Sequence, residues 1–454
     1  MLRSPVVNQW ALLFLGVSLV VWSPIKSLPY IIPFVSVITI LLSRKLHRKN
    51  IYSIVLTQAA VAMFVSLGWL SIWWLVNQNF NIYTYILSYI TYSAAVFAVL
   101  LPSKTLKVRT IDMIAIGKYA RAILLFQGVI GIGQAVYGFA QTGTLDLSNG
   151  DWVKGTIGFS LGGYYPGGDI SNALYAINQS ANLIFVWSLI QIIPRKAITT
   201  ISLVIGTIGL ALAAVMHAAV FLASALLLAT MALARLALIK KITIILSYIF
   251  IIGIFIGATM PKNTSLIIKY AKQLIVGESI RSQFLERWFS YAAADNPPAF
   301  YLGYGIGQVT SRSALVASGL YLTSSIGKNM PHLGPTQVQQ RYLEDLLVAA
   351  VNDPRLSSTH KPYSSWISLL TEVGIIGVLL ISIYYIYYII IKMRNRTYIS
   401  TQMSFASTTI IIFIALLGFQ ENYLEMPQAI FLSILYIKIL NCYMDSIKNE
   451  TTKV

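Results

Sequence analysis

The sequence HKPYSSWISLLTEVGIIG at residues 360–377 decides the fold, because it carries a polar segment directly into a long apolar run. Glu372 lies about two helical turns inside that run. A charged side chain at the centre of a membrane helix costs about 2.5–3.5 kcal/mol unless it faces protein or water. We therefore expect the residues around Glu372 to form a functional site.

The composition of the whole chain indicates a membrane protein. Of its 454 residues, 57% are hydrophobic and 11% are charged, whereas soluble domains have about 45–50% apolar and about 25% charged residues. The net charge of +18 comes mostly from short connections between apolar runs, which indicates contact with anionic lipid rather than nucleic acid. The single cysteine, Cys442, excludes an internal disulfide. The composition predicts an all-α polytopic membrane protein.

Apolar runs long enough to span a bilayer occur throughout the chain. A bilayer core of about 30 Å needs roughly 20 apolar residues in a helix. The sequence predicts about twelve such helices, near 8–24, 28–43, 52–77, 82–101, 119–140, 173–193, 198–215, 218–238, 242–260, 366–391, 402–419 and 427–444.

The basic residues between these runs predict the orientation. Every even-numbered connection is basic, so these connections and both termini are expected in the cytoplasm. The residues concerned are Arg44, Lys45, Arg48, Lys49, Lys104, Lys107, Arg109, Lys118, Arg121, Arg195, Lys196, Lys240, Lys241, Lys392, Arg394 and Arg396.

Two of the outer connections are long, and they divide the chain. The predicted units are 1–260, with nine helices and the loop 141–172, then a large loop at 261–365, then 366–454 with three helices. Apolar spacing predicts helices near 264–276, 279–293 and 336–351 within the large loop. This loop is too aromatic and aliphatic to be disordered. We expect it to fold onto the membrane helices and carry the chemistry.

The large loop is more basic than an outer loop usually is, with ten basic residues against six acidic ones. A guanidinium group binds phosphate oxygens through two hydrogen bonds. Arg281 and Arg287 are therefore candidates for holding a phosphate. The alternative is a solvated basic face in which each arginine pairs with a nearby acid, for example Arg287 with Glu286.

Three titratable residues are candidates for the site. His360 precedes the apolar run and can share a proton near neutral pH, although a lone histidine there can equally be a surface or capping residue. Glu372 can act as a base, orient another group, or pair with a buried arginine, and the last role is favoured. His217, between two closely joined runs, either lines the site or lies at the membrane interface.

The first long outer loop contains a second candidate patch, DWVKGT at 151–156. Asp151 and Lys154 can hold sugar hydroxyls or a phosphate, or the segment is a plain turn. The sequence has no phosphate-binding loop, dinucleotide fingerprint or Cys/His metal spacing. We expect no metal or other cofactor, so a reaction here would need a preactivated donor.

These motifs together resemble the superfamily of O-antigen polymerases and O-antigen ligases (the Wzy/WaaL type), which are multispan inner-membrane glycosyltransferases. Arg287-Trp288 followed by GYGIG at 303–307 is similar to a pattern of the family, and so is the 151–156 turn. The family histidine falls at Tyr363 instead of His360, and Met216-His217 stands where the family often has Ser-Arg. The residues that match the family motif at the loop end are Ser364, Ser365, Ile367, Leu370, Glu372, Gly374 and Gly377.

The resemblance implies a GT-C-like fold and a mechanism. The donor would be an undecaprenyl-pyrophosphate-linked oligosaccharide at the periplasmic face of a bacterial inner membrane. Its pyrophosphate would be bound by Arg287 and Arg281, with Lys154 and His217 assisting. His360 or Tyr363 would deprotonate the acceptor hydroxyl, with Glu372 in the same site. Asp151, Trp288 and Trp366 would border the sugar or shape the loop.

The function predicted first is a polysaccharide polymerase that joins lipid-linked repeat units. The alternative in the same class is an O-antigen ligase that transfers the polymer to lipid A core, and the alternative of another class is a transporter or flippase for lipid-linked sugars. The expected partners are the growing polysaccharide, a chain-length regulator, a flippase and membrane lipids, with no nucleic acid.

Overall fold

The computed structural model describes residues 9–25, 28–31, 68–77, 79–92, 108–143, 151–160, 163–164, 170–233, 279–319, 333–352, 364–394 and 398–451, together with short pieces between 239 and 277. The described chain is mostly helical, with one two-stranded antiparallel ribbon in which Phe159 pairs with Tyr164. This architecture agrees with the predicted all-α class.

The helices and strands have the following bounds. Residues 68–76 are helical. Short 3-10 turns lie at Leu28–Ile31, Gly155–Gly158 and Tyr423–Glu425, and a π-helical turn at Trp288–Ala292. The elements are α1 (Gln9–Val21), α2 (Ile82–Thr91), α3 (Thr110–Thr142), β1 (Phe159–Ser160), β2 (Gly163–Tyr164), α4 (Ser171–Ser188), α5 (Lys196–Leu212), α6 (Met216–Leu233), α7 (Ile280–Arg287), α8 (Ala293–Asp295), α9 (Pro297–Leu302), α10 (Arg312–Ala317), α11 (Gln337–Tyr342), α12 (Glu344–Asn352), α13 (Ser365–Glu372), α14 (Gly374–Arg394), α15 (Tyr398–Gln420) and α16 (Pro427–Thr451).

Four of the described helices are long and apolar enough to cross a membrane, by length and composition. They are Thr110–Thr142, Met216–Leu233, Gln402–Gln420 and Pro427–Ile447. The predicted runs at 28–43, 52–77 and 242–260 lie largely outside the described residues. The total of twelve spans stays a prediction.

Helix α3 is longer than the predicted run 119–140. It begins at Thr110 because the Asp112 carboxylate accepts a hydrogen bond from the backbone N–H of Arg109 at 2.9 Å and caps the first turn. Its 33 residues extend about 50 Å at about 1.5 Å per residue. A Cβ atom at Gly128 of α3 would lie 2.9 Å from the Ile205 carbonyl oxygen of α5, so this glycine lets the two helix backbones approach closely.

The predicted run 366–391 is not one helix. It breaks at Val373, between α13 and α14, and Gly374 has a φ of +80°. The carbonyls of Thr371 and Glu372 instead accept hydrogen bonds from the backbone N–H groups of Tyr304 and Gly305, at 3.1 and 3.0 Å. The large loop thus supplies partners at the point where the helix is interrupted.

The described residues form two hydrophobic cores. The bundle core joins α1, α3, α4, α15 and α16, and in it Phe185 stacks on Tyr436 with ring centroids 4.1 Å apart. The loop core surrounds the buried Trp288. The helix predicted near 279–293 is present as α7, the π-helical turn and α8, and the one near 336–351 is present as α11 and α12. The predicted 264–276 helix lies mostly outside the described residues.

Different side chains bind backbone carbonyls at the two ends of the bundle. At one end, Arg121 donates to the Pro194 carbonyl at 2.9 Å, close to where α5 begins. At the other end, Thr156 donates to the Trp22 carbonyl at 2.7 Å, and the Gln428 side chain donates to that of Val21 at 3.0 Å. We call this second end the polar end, and the large loop docks onto it.

Candidate functional site

Several segments of the polar end meet at the turn 421–426, between α15 and α16. The Asn422 side chain donates to the Thr310 carbonyl at 2.9 Å. The backbone N–H of Ser365 donates to the Glu421 carbonyl at 3.2 Å. The large loop, the start of α13 and the last two helices therefore converge on this turn.

Glu372 is buried and holds the segment 303–312, which we call the glycine segment. One carboxylate oxygen accepts the N–H of Gly307 at 2.6 Å, and the other accepts those of Val309 and Ser311, both at 2.9 Å. Three backbone donors compensate much of the cost of burying a carboxylate. The arginine partner favoured from the sequence does not appear in this set, and backbone N–H groups fill that role.

Glycine is required where this segment lies against its neighbours. Gly303 and Gly307 have φ values of +88° and +86°, a region that other residues rarely adopt. A side chain at Gly303 would overlap the Glu372 carbonyl, and one at Gly307 would overlap the Thr84 carbonyl. The GYGIG sequence therefore serves close packing of the loop backbone on α2 and α13.

Glu425 is a second buried carboxyl group, and sequence reasoning did not select it. One of its oxygens accepts the backbone N–H of Arg312 at 2.6 Å. Burial raises its pKa well above the ordinary value, and the nearby Glu372 raises it further, while Arg312 and the Tyr92 hydroxyl oppose the shift. This arrangement provides an acid that can hold or release a proton. A usable signal was an acid in the connection between the last two apolar runs.

His217 reaches the same turn from the start of α6. Its Nε2 atom lies 3.0 Å from the Tyr423 hydroxyl, and the two rings stack with centroids 5.8 Å apart. His217 and Glu425 are therefore brought to one short turn, although about 200 residues separate them in the chain.

Arg281 and Trp366 attach the loop and α13 to α15. The Arg281 guanidinium donates to the Phe419 and Gln420 carbonyls at 2.8 and 3.1 Å. A cation at this position satisfies the last carbonyls of a helix and complements its dipole. The Trp366 indole donates to the Ala415 carbonyl at 2.7 Å. The described contacts of both residues are structural.

Arg287 and Trp288 lie in the loop, at the end of α7 and the start of the π-helical turn. Arg287 pairs with Asp345, at 2.8 Å, and not with Glu286. This hydrogen bond lowers the pKa of the exposed Asp345. Trp288 is fully buried, with its ring centroid 5.4 Å from that of Tyr304. These two residues build the loop fold.

The 151–156 patch docks on α3 and not on the 421–426 turn. The Gln134 side-chain oxygen accepts the backbone N–H groups of Lys154 and Gly155, both at 2.8 Å, and its nitrogen donates to the Gly155 carbonyl at 2.9 Å. Lys154 is buried and Asp151 is partly buried.

Two predicted residues, His360 and Tyr363, lie outside the described residues. Of the other predicted site residues, His217, Arg281, Trp366 and Glu372 are brought to the polar end around α13, α15 and the 421–426 turn. In the part of the chain that is described, no group of three His, Cys, Asp or Glu side chains is arranged to hold a metal ion.

A scan against protein-family models and a search of curated proteins find no match for this chain. The resemblance to O-antigen polymerases and ligases therefore rests on the sequence motifs alone.

Proposed function

We propose that this chain is a polysaccharide polymerase, which joins undecaprenyl-pyrophosphate-linked oligosaccharides at the periplasmic face of a bacterial inner membrane. One observation carries the proposal: His217, Arg312, Glu372 and Glu425 converge at one end of the helix bundle. Arg109 and Arg121, which belong to the predicted cytoplasmic connections, lie near the opposite end of α3. By the positive-inside rule, this arrangement supports a periplasmic position for the polar end.

The proposed reaction is a displacement at the anomeric carbon of the donor sugar. The oxygen of an acceptor hydroxyl forms a bond to that carbon, and the bond from the carbon to the lipid diphosphate breaks. The acceptor proton passes to a base, and the diphosphate leaves with the bonding electrons. A diphosphate is already an activated leaving group, so the transfer needs no nucleotide.

The residues of the polar end are assigned roles in this scheme. Glu425 takes the acceptor proton, a role for which His360 and Tyr363 remain candidates from the resemblance. Arg312 offsets the charge that develops on the diphosphate, because its backbone N–H is bound to Glu425 and its charge lies close to that carboxyl group. Glu372 positions Arg312 through the glycine segment.

Purified protein with lipid-linked repeat units, with and without lipid A core, tests the proposal. We expect long glycan chains without lipid A core. Glu425→Gln and Arg312→Gln should each lower the rate by about 100-fold or more, the usual contribution of general acid–base or charge-stabilising groups. Arg287→Ala, the matched control at an arginine outside the turn, should keep most of the activity. Product formed only with lipid A core would indicate the ligase, and no transfer to either acceptor would refute both.

A transporter for lipid-linked sugars is the second candidate, and the break between α13 and α14 favours it. Discontinuous helices are typical of the substrate sites of secondary transporters. Cells that carry Glu425→Gln distinguish the two functions. If the chain is a polymerase, lipid-linked units should accumulate in the outer leaflet. Accumulation in the cytoplasmic leaflet would support the transporter.

A further inference from the structure

A cleft of about 460 Å³ opens beside the glycine segment, which lines it with Tyr304. Its other walls come from Val76, Asn77 and Asn79, from the junction of α8 and α9, and from Thr336 and α11. The volume is in the range of small-molecule sites, about 300–1,000 Å³. None of the site residues expected from the sequence lines it.

The rim of the cleft is rich in side-chain amides. Asn79 donates to the Gln337 side-chain oxygen at 2.7 Å, and both side chains are at the surface. Within the described residues, the remaining amide groups, Asn79 Oδ1 and Gln337 Nε2, have no hydrogen-bond partner. They therefore present one acceptor and one donor to the cleft side by side, which suits the hydroxyl groups of a sugar.

The charges in the cleft cancel each other. Arg341 pairs with Asp295 at 2.7 Å, and the Tyr342 hydroxyl donates to the same carboxylate. Among the described lining residues there is no other charged group. A diphosphate would meet the Asp295 carboxylate as well as the Arg341 guanidinium, so a neutral ligand is favoured over an anion.

The cleft is preformed by bonds that its own walls make. Asn77 donates to the Tyr304 carbonyl at 2.9 Å, and Thr336 donates to the Gln308 carbonyl at 3.0 Å. Both acceptors belong to the glycine segment, whose other side is held by Glu372. Occupation of the cleft would therefore contact the same segment that positions Arg312.

We infer that this cleft binds a neutral, hydroxyl-rich stretch of glycan, with the Asn79 and Gln337 amides as its main polar contacts. The inference rests on the proposed function, since it assigns the cleft to the non-reacting sugars of the glycan being extended. It makes the cleft a site for holding the chain, separate from the residues assigned to bond formation.

Direct binding tests the inference. The probe is the oligosaccharide released by mild acid from the lipid-linked repeat units of the source cells, titrated into the full-length protein in detergent and followed by ligand-detected NMR. We expect binding to the unmodified protein and at least tenfold weaker binding to the Asn79→Ala/Gln337→Ala double variant. Gln340→Ala, an exposed glutamine on the same helix, should bind as the unmodified protein does.

Two further measurements keep the test decisive. Gln337→Trp fills the mouth of the cleft instead of removing polar groups, and it should also abolish binding while leaving the thermal unfolding midpoint unchanged. Inorganic pyrophosphate should not compete with the oligosaccharide. Equal binding by all variants, or competition by pyrophosphate, would overturn the inference.

The same samples separate this inference from the proposed function. Binding to the cleft without any glycan transfer by the unmodified protein would refute the polymerase but support the cleft. Glycan transfer by the unmodified protein, together with undiminished oligosaccharide binding by the double variant, would support the polymerase and refute the assignment of the cleft.

Discussion

Two short segments at the polar end are held in place by opposite chemical means. The 154–156 segment binds the neutral amide of Gln134, which accepts two N–H groups and donates to one carbonyl. The glycine segment binds the carboxylate of Glu372, which accepts three N–H groups. An amide suits a segment that presents both donors and acceptors, whereas a carboxylate suits one that presents only donors.

The difference follows from backbone geometry. The backbone from Gly305 to Ser311 consists of turns and bends, with positive φ at Gly305 and Gly307. This curled path brings the N–H groups of Gly307, Val309 and Ser311 to one point. A single carboxylate can then collect all three. The docking of the large loop therefore depends mainly on one charged side chain, that of Glu372. The following predictions test this dependence.

The largest effect is expected from Glu372→Ala. Each buried N–H group left without an acceptor costs about 1–3 kcal/mol, and this variant leaves three. We expect little folded protein in detergent, or a strongly lowered midpoint of thermal unfolding followed by tryptophan fluorescence. Gln134→Ala, the matched change in the other segment, leaves two N–H groups and one carbonyl unpaired. It should be less damaging, because hydrogen bonds to a neutral amide are weaker than those to a carboxylate. An equal loss in both variants would contradict the proposed difference.

Gly307→Ala should have the next largest effect. A side chain there meets the Thr84 carbonyl and Ser88 and must adopt a φ of +86°. The overlap alone costs about 1–3 kcal/mol, and the backbone strain adds to it. Gly143→Ala is the control, because Gly143 also has a positive φ but no atom within 4 Å of the added carbon. The difference between the two midpoints measures how tightly the glycine segment is packed.

A pH dependence of stability should accompany the carboxylate-held region. The folded pKa of Glu425 is raised above its ordinary value of 4.5, so its stabilising contribution is complete below about pH 4.5 and is lost as the pH rises through the folded pKa. The slope can reach about 1.4 kcal/mol per pH unit. Unfolding midpoints measured from pH 4 to 9 should fall with pH, and Glu425→Gln should flatten the curve. Tyr92, Arg312 and Glu372 face the Glu425 carboxyl group, and these three residues are unchanged in the Glu425→Gln variant.

Arg287→Ala should have the smallest effect on stability. Its partner Asp345 has a side chain that is 62% exposed, and exposed ion pairs contribute about 0–1 kcal/mol. A midpoint within a few degrees of the unmodified protein is expected. A large loss would show that the loop core, and not the glycine segment, limits stability.

The sequence predicted the coarse architecture because apolar length and spacing are local properties. Helices α3, α6, α15 and α16 fall on predicted runs, and the helices near 279–293 and 336–351 were placed correctly within the loop. The break at Val373 was not predicted, because hydropathy continues through it. Its cause is a hydrogen-bonded partner, Gly305, far away in the chain.

The candidate site was predicted less completely. The position of Glu372 in an apolar run correctly indicated a buried carboxylate, yet its partners are backbone groups that a sequence pattern cannot identify. Arg281 and Arg287 were selected for their charge, but whether an arginine meets a carbonyl, an acid or a substrate depends on contacts between distant segments. Glu425 was missed for the same reason.

The way in which the large loop is docked has a consequence for biosynthesis. Gly307 leaves the ribosome 65 residues before its acceptor Glu372, and Arg312 leaves 113 residues before Glu425. The N–H group of Gly307 therefore has no acceptor until α13 has been made, and that of Arg312 has none until the 421–426 turn has been made. The docking of this segment is a late event in synthesis of the chain, and before it the segment is accessible to proteases and chaperones.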